Sequence, residues 1–441
     1  MLHHDFSRRS VLQGTAVAGA GALLAASPFS APAFAQDARW PGVERWLKSW
    51  VDRRKVPGMV AALGFGQAAP DYIAAGNRTF EGDGAVGPDT IFRIYSMTKP
   101  VTGMAAMICV DEGLFDLDQP LHEILPAFRE MSVQKQADGA ITADNLEAAT
   151  RDITIRHLLT HTAGLGYGIV QQGPIREAYN RNGLTPGSVS RLAIAQEMFG
   201  RNPAPSLEVF AERLATLPLV YQPGTRWSYS VGLDLMGRVI EVASGMNFDA
   251  FLQRRIFDPC GMDSTAFRVA RDDVDRLAGN YFIMGGLPIP LDLPRSSVFL
   301  DKPAFPFGGA GLVSTARDYD RFLKMLAGYG ELEGRRVMSE AAVRIGTSNL
   351  LPETLASNGG FAMNGQAMGY GAGGTVGLGD TAGYYGWGGA AGTVGFVDMR
   401  FGLRATMMVQ YMLTEAYPIQ SQFSEIVRTD VMAMAAARDA A

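Results

Sequence analysis

The chain has 441 residues, enough for a large buried core. Its content of 47% hydrophobic and 19% charged residues excludes a disordered chain, and a net charge of −5 with no basic cluster argues against a nucleic-acid partner. The two cysteines, Cys109 and Cys260, sit in no metal-type spacing.

The amino terminus reads as a targeting segment. Ser7-Arg8-Arg9-Ser10-Val11-Leu12 is a twin-arginine pattern, an Ala/Gly-rich apolar run follows to Ala26, and Ala33-Phe34-Ala35 fits the small-x-small cleavage rule. Residues 1–35 are expected to be a signal peptide, with Gln36 as the mature start and the twin-arginine machinery carrying the folded protein to the periplasm or beyond. The run is too short and too rich in small residues for a membrane span. No stable membrane insertion is expected after its removal. Folding in a reducing compartment favours free thiols at Cys109 and Cys260.

Residues 43–55 predict an amphipathic helix with Val43, Trp46, Leu47, Trp50 and Val51 on its apolar side. Residues 59–65 and 71–75 predict two strands of a hairpin. The stretch 91–113 starts as an apolar run, turns at Ser96 and continues as a nearly uncharged helical pattern to Gly113. Its apolar residues wrap most of the way round, which predicts burial on nearly all sides. Residues 121–128 predict a short helix, 129–150 a polar surface loop, and 153–165 a helix capped by Thr154 and stopped by Gly164. His157 and His161 lie four apart there. The residue after His157 is Leu158, not the Glu of a zinc-protease helix, so hydrogen bonding is expected of them and not metal binding. Residues 166–205 read as irregular, 207–217 and 228–244 as helices, 247–256 as another helix, and the Pro-rich 285–306 as irregular. A helix over 316–326, paired strands at 393–399 and 403–411, and a last helix over 419–437 complete the chain. Strands and helices at both ends around a helical middle predict a mixed α/β fold in which the two ends share a sheet.

Ser96 and Lys99 carry the chemistry. Three apart at a helix start, they share a face. A buried ammonium loses hydration, which eases its deprotonation, and a lysine beside a hydroxyl suits a nucleophilic serine. A second Ser-x-x-Lys, Ser132 to Lys135, sits in a polar stretch with no apolar helix behind it and reads as a solvated loop.

Three motifs then fall in order. Ser96-Met-Thr-Lys99, Tyr229-Ser-Val231 and Trp387-Gly388-Gly389, with supporting stretches at 157–165 and 311–315, make the chain resemble the serine β-lactamase and penicillin-binding-protein superfamily. Within it the chain is most similar to the class C β-lactamase-like (family VIII) carboxylesterases. The resemblance implies a central antiparallel sheet flanked by helices plus a mostly helical subdomain. It implies one catalytic domain over residues 36–441, with an α/β part at about 36–95 and 300–441 and a helical part at about 96–299. It further implies that Ser96 is the nucleophile, that Lys99 and Tyr229 are its base system, and that the backbone N–H groups of Ser96 and Ala390 form an oxyanion hole. Trp387, Gly388, Gly389 and Tyr167 would contact substrate, with no cofactor and no metal.

The departures from the pattern choose among members. Trp387 stands where a β-lactam-binding lysine is expected, no lysine follows Lys324, and Val231 replaces the asparagine of the second motif. Both changes remove polar recognition and suit small, uncharged, short-acyl esters. A β-lactamase or D-alanyl-D-alanine carboxypeptidase is the alternative, and a non-catalytic binding descendant is a second. The absence of a Gly-x-Ser-x-Gly elbow argues against an α/β-hydrolase.

Overall fold

A computed structural model describes residues 40–439 except positions 83, 186, 201, 357–360 and 364. The proposed signal peptide lies outside the described residues.

The strand Gly58–Phe65 (β1) is buried at every position, so it needs cover on both faces of its sheet. It pairs antiparallel with Asp71–Gly76 (β2), the exposed edge, as the hairpin reading predicts. On its other side it pairs with a strand from the far end of the chain. The remaining members are Gly369–Tyr370 (β3), Thr375–Val376 (β4), Tyr384–Gly388 (β5), Val394–Asp398 (β6) and Leu403–Met408 (β7). The order β3-β4-β5-β6-β7-β1-β2 gives a seven-stranded antiparallel sheet in which the two chain ends meet at the β7–β1 pairing.

Side-chain alternation sends β1 into two cores. Met59, Ala61 and Leu63 pack with Val43, Leu47 and Trp50 of the helix Pro41–Asp52 (α1) and with Phe423 and Val427 of the terminal helix Ile419–Asp439. Val60 and Ala62 face the other core, which holds the helix Ala316–Ala327 and most of the helical middle. The helix Thr98–Asp111 (α2) runs through that second core, and every residue from Thr98 to Cys109 is buried. This matches the uncharged wrap-around pattern. Gly103 lets α2 touch the sheet end: a Cβ there would lie 2.0 Å from the Ala372 carbonyl oxygen.

Several local expectations are corrected. Residues 121–128 form two 3-10 turns, Leu121–Glu123 and Pro126–Phe128, because Pro126 cannot continue a helix from the first. The 129–150 stretch holds the paired strands Ser132–Gln134 and Leu146–Ala148, so the second Ser-x-x-Lys begins on a strand and leaves Lys135 exposed. Two helices, Gly173–Arg181 and Ala193–Phe199, lie within 166–205. The strand Leu287–Asp292 lies within 285–306 and pairs with Asn280–Met284. Cys109 and Cys260 are free and buried, and burial pushes both thiols up to about 12.

Candidate active site

The chain enters the site as a two-residue strand, Phe92–Arg93, paired with Val313–Ser314. Arg93 is fully buried and fixes this entry. Its guanidinium donates to Asp292 (2.7 Å), to the carbonyls of Ala278 and Asp292, to Ser297 and to Gln410. Tyr95 then adopts a left-handed φ of 40°, and Tyr95–Met97 forms a 3-10 turn that hands over to α2. A non-glycine residue there is strained, and such strain is held only by surrounding structure. The turn delivers the Ser96 hydroxyl, and one turn of α2 brings Lys99 back beneath it.

Three groups meet at Ser96. Tyr229 Oη donates to Ser96 Oγ at 2.8 Å, and Lys99 Nζ lies 3.4 Å from the same oxygen. Lys99 Nζ also donates to the Gly309 carbonyl at 2.7 Å and sits 4.5 Å from the centre of the Tyr229 ring. All three side chains are buried, with Lys99 at 0% exposure. Hydrogen bonds and charges act strongly in such a dry setting. Tyr229 precedes the helix Gly232–Ser244 (α3) instead of opening it, because Ser230 N donates to His161 Nδ1 and Val231 N to the Gly166 carbonyl.

Aromatic rings surround Tyr229. His161 lies 4.8 Å away, Tyr167 5.4 Å and Trp387 5.8 Å, centroid to centroid, with Trp227 stacked further out. Trp387 Nε1 donates to Tyr229 Oη at 3.4 Å. The structure therefore places the Trp387 indole against the Tyr229 hydroxyl. Gly388 ends β5, and Gly389 packs where a Cβ would come within 2.3 Å of the Ile94 carbonyl oxygen. That approach ties the end of β5 to the segment just before Ser96.

The two histidines part company. The helix over 153–165 is only Ile155–Leu159, because His161 takes a left-handed φ of 56°. His157 Nδ1 accepts from the Thr154 amide in a capping box, and burial lowers its pKa to about 4. His161 contacts Ser230, and burial, with Lys99 nearby, holds it well below the usual histidine range. It is a neutral spacer beside Tyr229. Among the described residues no group of three or more His, Cys, Asp or Glu could hold a metal ion.

Ser96, Tyr167 and Ala390 border one small cleft of about 50 Å³, whose remaining lining is mainly apolar, with Ile169, Val189 and Phe199, beside Ser188, Thr414 and Glu415. Burial, then Asp234 and Tyr229, raise the Tyr167 phenol well above its ordinary value, so it stays neutral. Larger surface hollows elsewhere contain none of these residues.

Sequence reasoning passed over Asp234, the Gly309 carbonyl and Trp227. Asp234 offered a signal: it is a lone acid in the otherwise apolar Leu233-Asp-Leu-Met236 run.

Known proteins share this architecture. The chain is 38% identical over 257 residues to Protein Rv1367c of Mycobacterium tuberculosis, covering 58% of this chain and 59% of that relative. It thus spans less than two thirds of that relative's length. It is 30% identical over 374 residues to the lovastatin esterase of Penicillium rubens, covering 78% of this chain and 85% of the relative. Among solved structures, EstCE1, described as a hydrolase with promiscuous acyltransferase activity, superposes with a TM-score of 0.68 at 24% identity over 87% of this chain and 97% of its own. With the Beta-lactamase family model matching residues 43–421, across a central antiparallel sheet and a buried Ser-x-x-Lys helix, the chain belongs to the beta-lactamase family.

Proposed function

We propose that this protein is a serine carboxylesterase that cleaves small, uncharged, short-acyl esters through an acyl-enzyme on Ser96. The observation that carries this reading is the 2.8 Å contact of Tyr229 Oη with Ser96 Oγ, with Lys99 Nζ against both groups. A positive charge at Lys99 favours the tyrosinate, and the tyrosinate can take the Ser96 proton as Oγ bonds to the ester carbon. The oxyanion that forms is held by the N–H groups of Ser96 and Ala390, two residues that border the cleft. As the C–O bond to the alcohol breaks, Tyr229 returns the proton to the leaving oxygen. Water then repeats the cycle: one proton goes to Tyr229 as the water oxygen bonds to the acyl carbon, and as the bond from that carbon to Ser96 Oγ breaks Tyr229 returns the proton to Oγ and the acid leaves. An alcohol in place of that water gives acyl transfer.

The small apolar cleft supports short acyl groups. Among the described residues its lining includes no lysine, arginine or histidine to hold a carboxylate, which speaks against β-lactams. The lovastatin esterase similarity supports ester cleavage. The residues act as one catalytic domain over 36–441, exported by the twin-arginine route, a point checked by whether periplasmic protein begins at Gln36. Hydrolysis of p-nitrophenyl acetate and butyrate, beside Ser96→Ala and with nitrocefin in parallel, tests the activity. Ester turnover abolished in Ser96→Ala, with nitrocefin turned over slowly or not at all, is the expected result. Nitrocefin turnover that matches the ester rate would establish a β-lactamase instead, and silence on both would leave a binding descendant.

A further inference from the structure

Asp234 is joined to this machinery through the Gly309 backbone, and nothing in the three motifs assigns it. It lies in the first turn of α3, five residues after Tyr229, and is 0% exposed. Oδ1 accepts from the Gly309 amide at 2.8 Å. The carbonyl of that same Gly309 accepts from Lys99 Nζ at 2.7 Å. Oδ2 is buried with no hydrogen-bond partner. The carboxylate packs so closely on the Gly309 backbone that a Cβ there would lie 2.6 Å from Oδ2. The preceding residue is wedged as well: a Cβ on Gly308 would lie 2.4 Å from the Leu233 carbonyl oxygen, and the Gly308 carbonyl accepts from Thr102 Oγ1 of α2 at 2.7 Å. The Gly308-Gly309 turn is thus clamped between the helix of the nucleophile and the helix that follows the tyrosine.

A buried carboxylate with an idle oxygen is costly to keep unless its charge is used. The charged and titratable groups that act on Asp234, or that it acts on, are Lys99 from α2 and Tyr167 from the loop after His161. Of these only Lys99 can supply the opposite charge. We propose that Asp234 is a positioning residue for Ser96 chemistry: through the Gly309 amide it fixes the carbonyl that aims Lys99, and its charge balances the Lys99 ammonium. The proposal rests on the hydrolase reading, and it adds a fourth member that acts through Lys99 without touching substrate. Burial, partly offset by Lys99, raises the Asp234 carboxyl to about 6, so it gains a proton on the acid side of neutrality.

The test is Asp234→Asn, which preserves shape and the acceptor for Gly309 and removes the charge. Two readouts are taken across pH: kcat and KM on p-nitrophenyl butyrate, and the labelling rate of Ser96 by a fluorophosphonate, which needs no ester substrate. The expected result is a fall in both kcat and labelling rate of about tenfold or more, with KM nearly unchanged. The acid limb that wild type shows near its Asp234 titration should disappear. An unchanged labelling rate, or a uniformly lower rate with the wild-type pH profile intact, overturns the proposal, since a merely structural role scales the rate without reshaping the profile. Asp234→Glu serves as a second variant should Asp234→Asn fold poorly, and partial recovery of the wild-type acid limb is expected of it; an Asp234→Glu enzyme with no acid limb overturns the proposal. Wild type that labels at Ser96 yet turns over no ester would sink the substrate reading alone.

Discussion

Replacing Asp234 with asparagine should stabilise the protein at neutral pH, in the opposite direction to its effect on the chemistry. The carboxyl has an ordinary value of 3.8 and is raised to about 6 in the folded state, burial being the main cause and Lys99 working against it. A proton is therefore bound more tightly in the folded chain than in the unfolded one. The stability tied to this group is full below about pH 4 and is lost as pH rises through about 6. A displacement of about two units, at about 1.4 kcal/mol each, makes the ionised carboxylate cost about 3 kcal/mol at neutral pH. Asparagine stands in for the protonated acid, with the Oδ2 position unpartnered in both. Urea denaturation of wild type and variant at about pH 4 and about pH 7 measures the difference and removes the contribution of all other carboxylates. The two proteins should be nearly equal in acid, and the variant should be more stable by up to about 3 kcal/mol at neutrality. A variant less stable than wild type at neutral pH would refute the reasoning, because it would show that attraction to Lys99 outweighs desolvation.

Tyr229→Phe keeps the ring packing and removes the hydroxyl in short contact with Ser96, so kcat on p-nitrophenyl butyrate should fall about 10²- to 10⁴-fold with KM little changed. Arg93→Ala leaves Asp292 buried without its ion pair, 2.5 Å at its shortest, and should cost about 3–5 kcal/mol in urea denaturation. Gly389→Ala sets a Cβ 2.3 Å from the Ile94 carbonyl oxygen and 2.2 Å from Thr393 Oγ1; the β5 end must shift, and a loss of about 1–3 kcal/mol is expected with reduced esterase activity. A Gly389→Ala enzyme of wild-type stability and rate would show that this approach carries no constraint.

The parts of the site that were legible in sequence are those whose spacing is set locally. Ser96 and Lys99 are one helical turn apart, and the apolar residues behind them announce a buried helix, which the structure has. The sharing of one sheet by the two chain ends followed from strand patterns at both ends. What stayed hidden depends on distant backbone. The Gly309 carbonyl meets Lys99 across 210 positions of sequence, and no periodicity records a carbonyl. The strand Leu287–Asp292 was masked by Pro288 and Pro290, residues tolerated because this is an edge strand, paired along one side with Asn280–Met284. The helix over 153–165 was overextended because nothing in the pattern forecasts the left-handed backbone of His161. The motif also suggested Trp387 as a substrate contact, but no motif records that its indole N–H donates to Tyr229 Oη.

The central claim is that Ser96 carries an acyl group during turnover. The most direct measurement is mass spectrometry of enzyme quenched during steady-state hydrolysis of p-nitrophenyl butyrate, followed by peptide mapping. The account predicts one butyryl group on the peptide that contains Ser96, present in wild type and absent in Ser96→Ala. A butyryl group on another residue, or ester turnover that persists in Ser96→Ala, would contradict it.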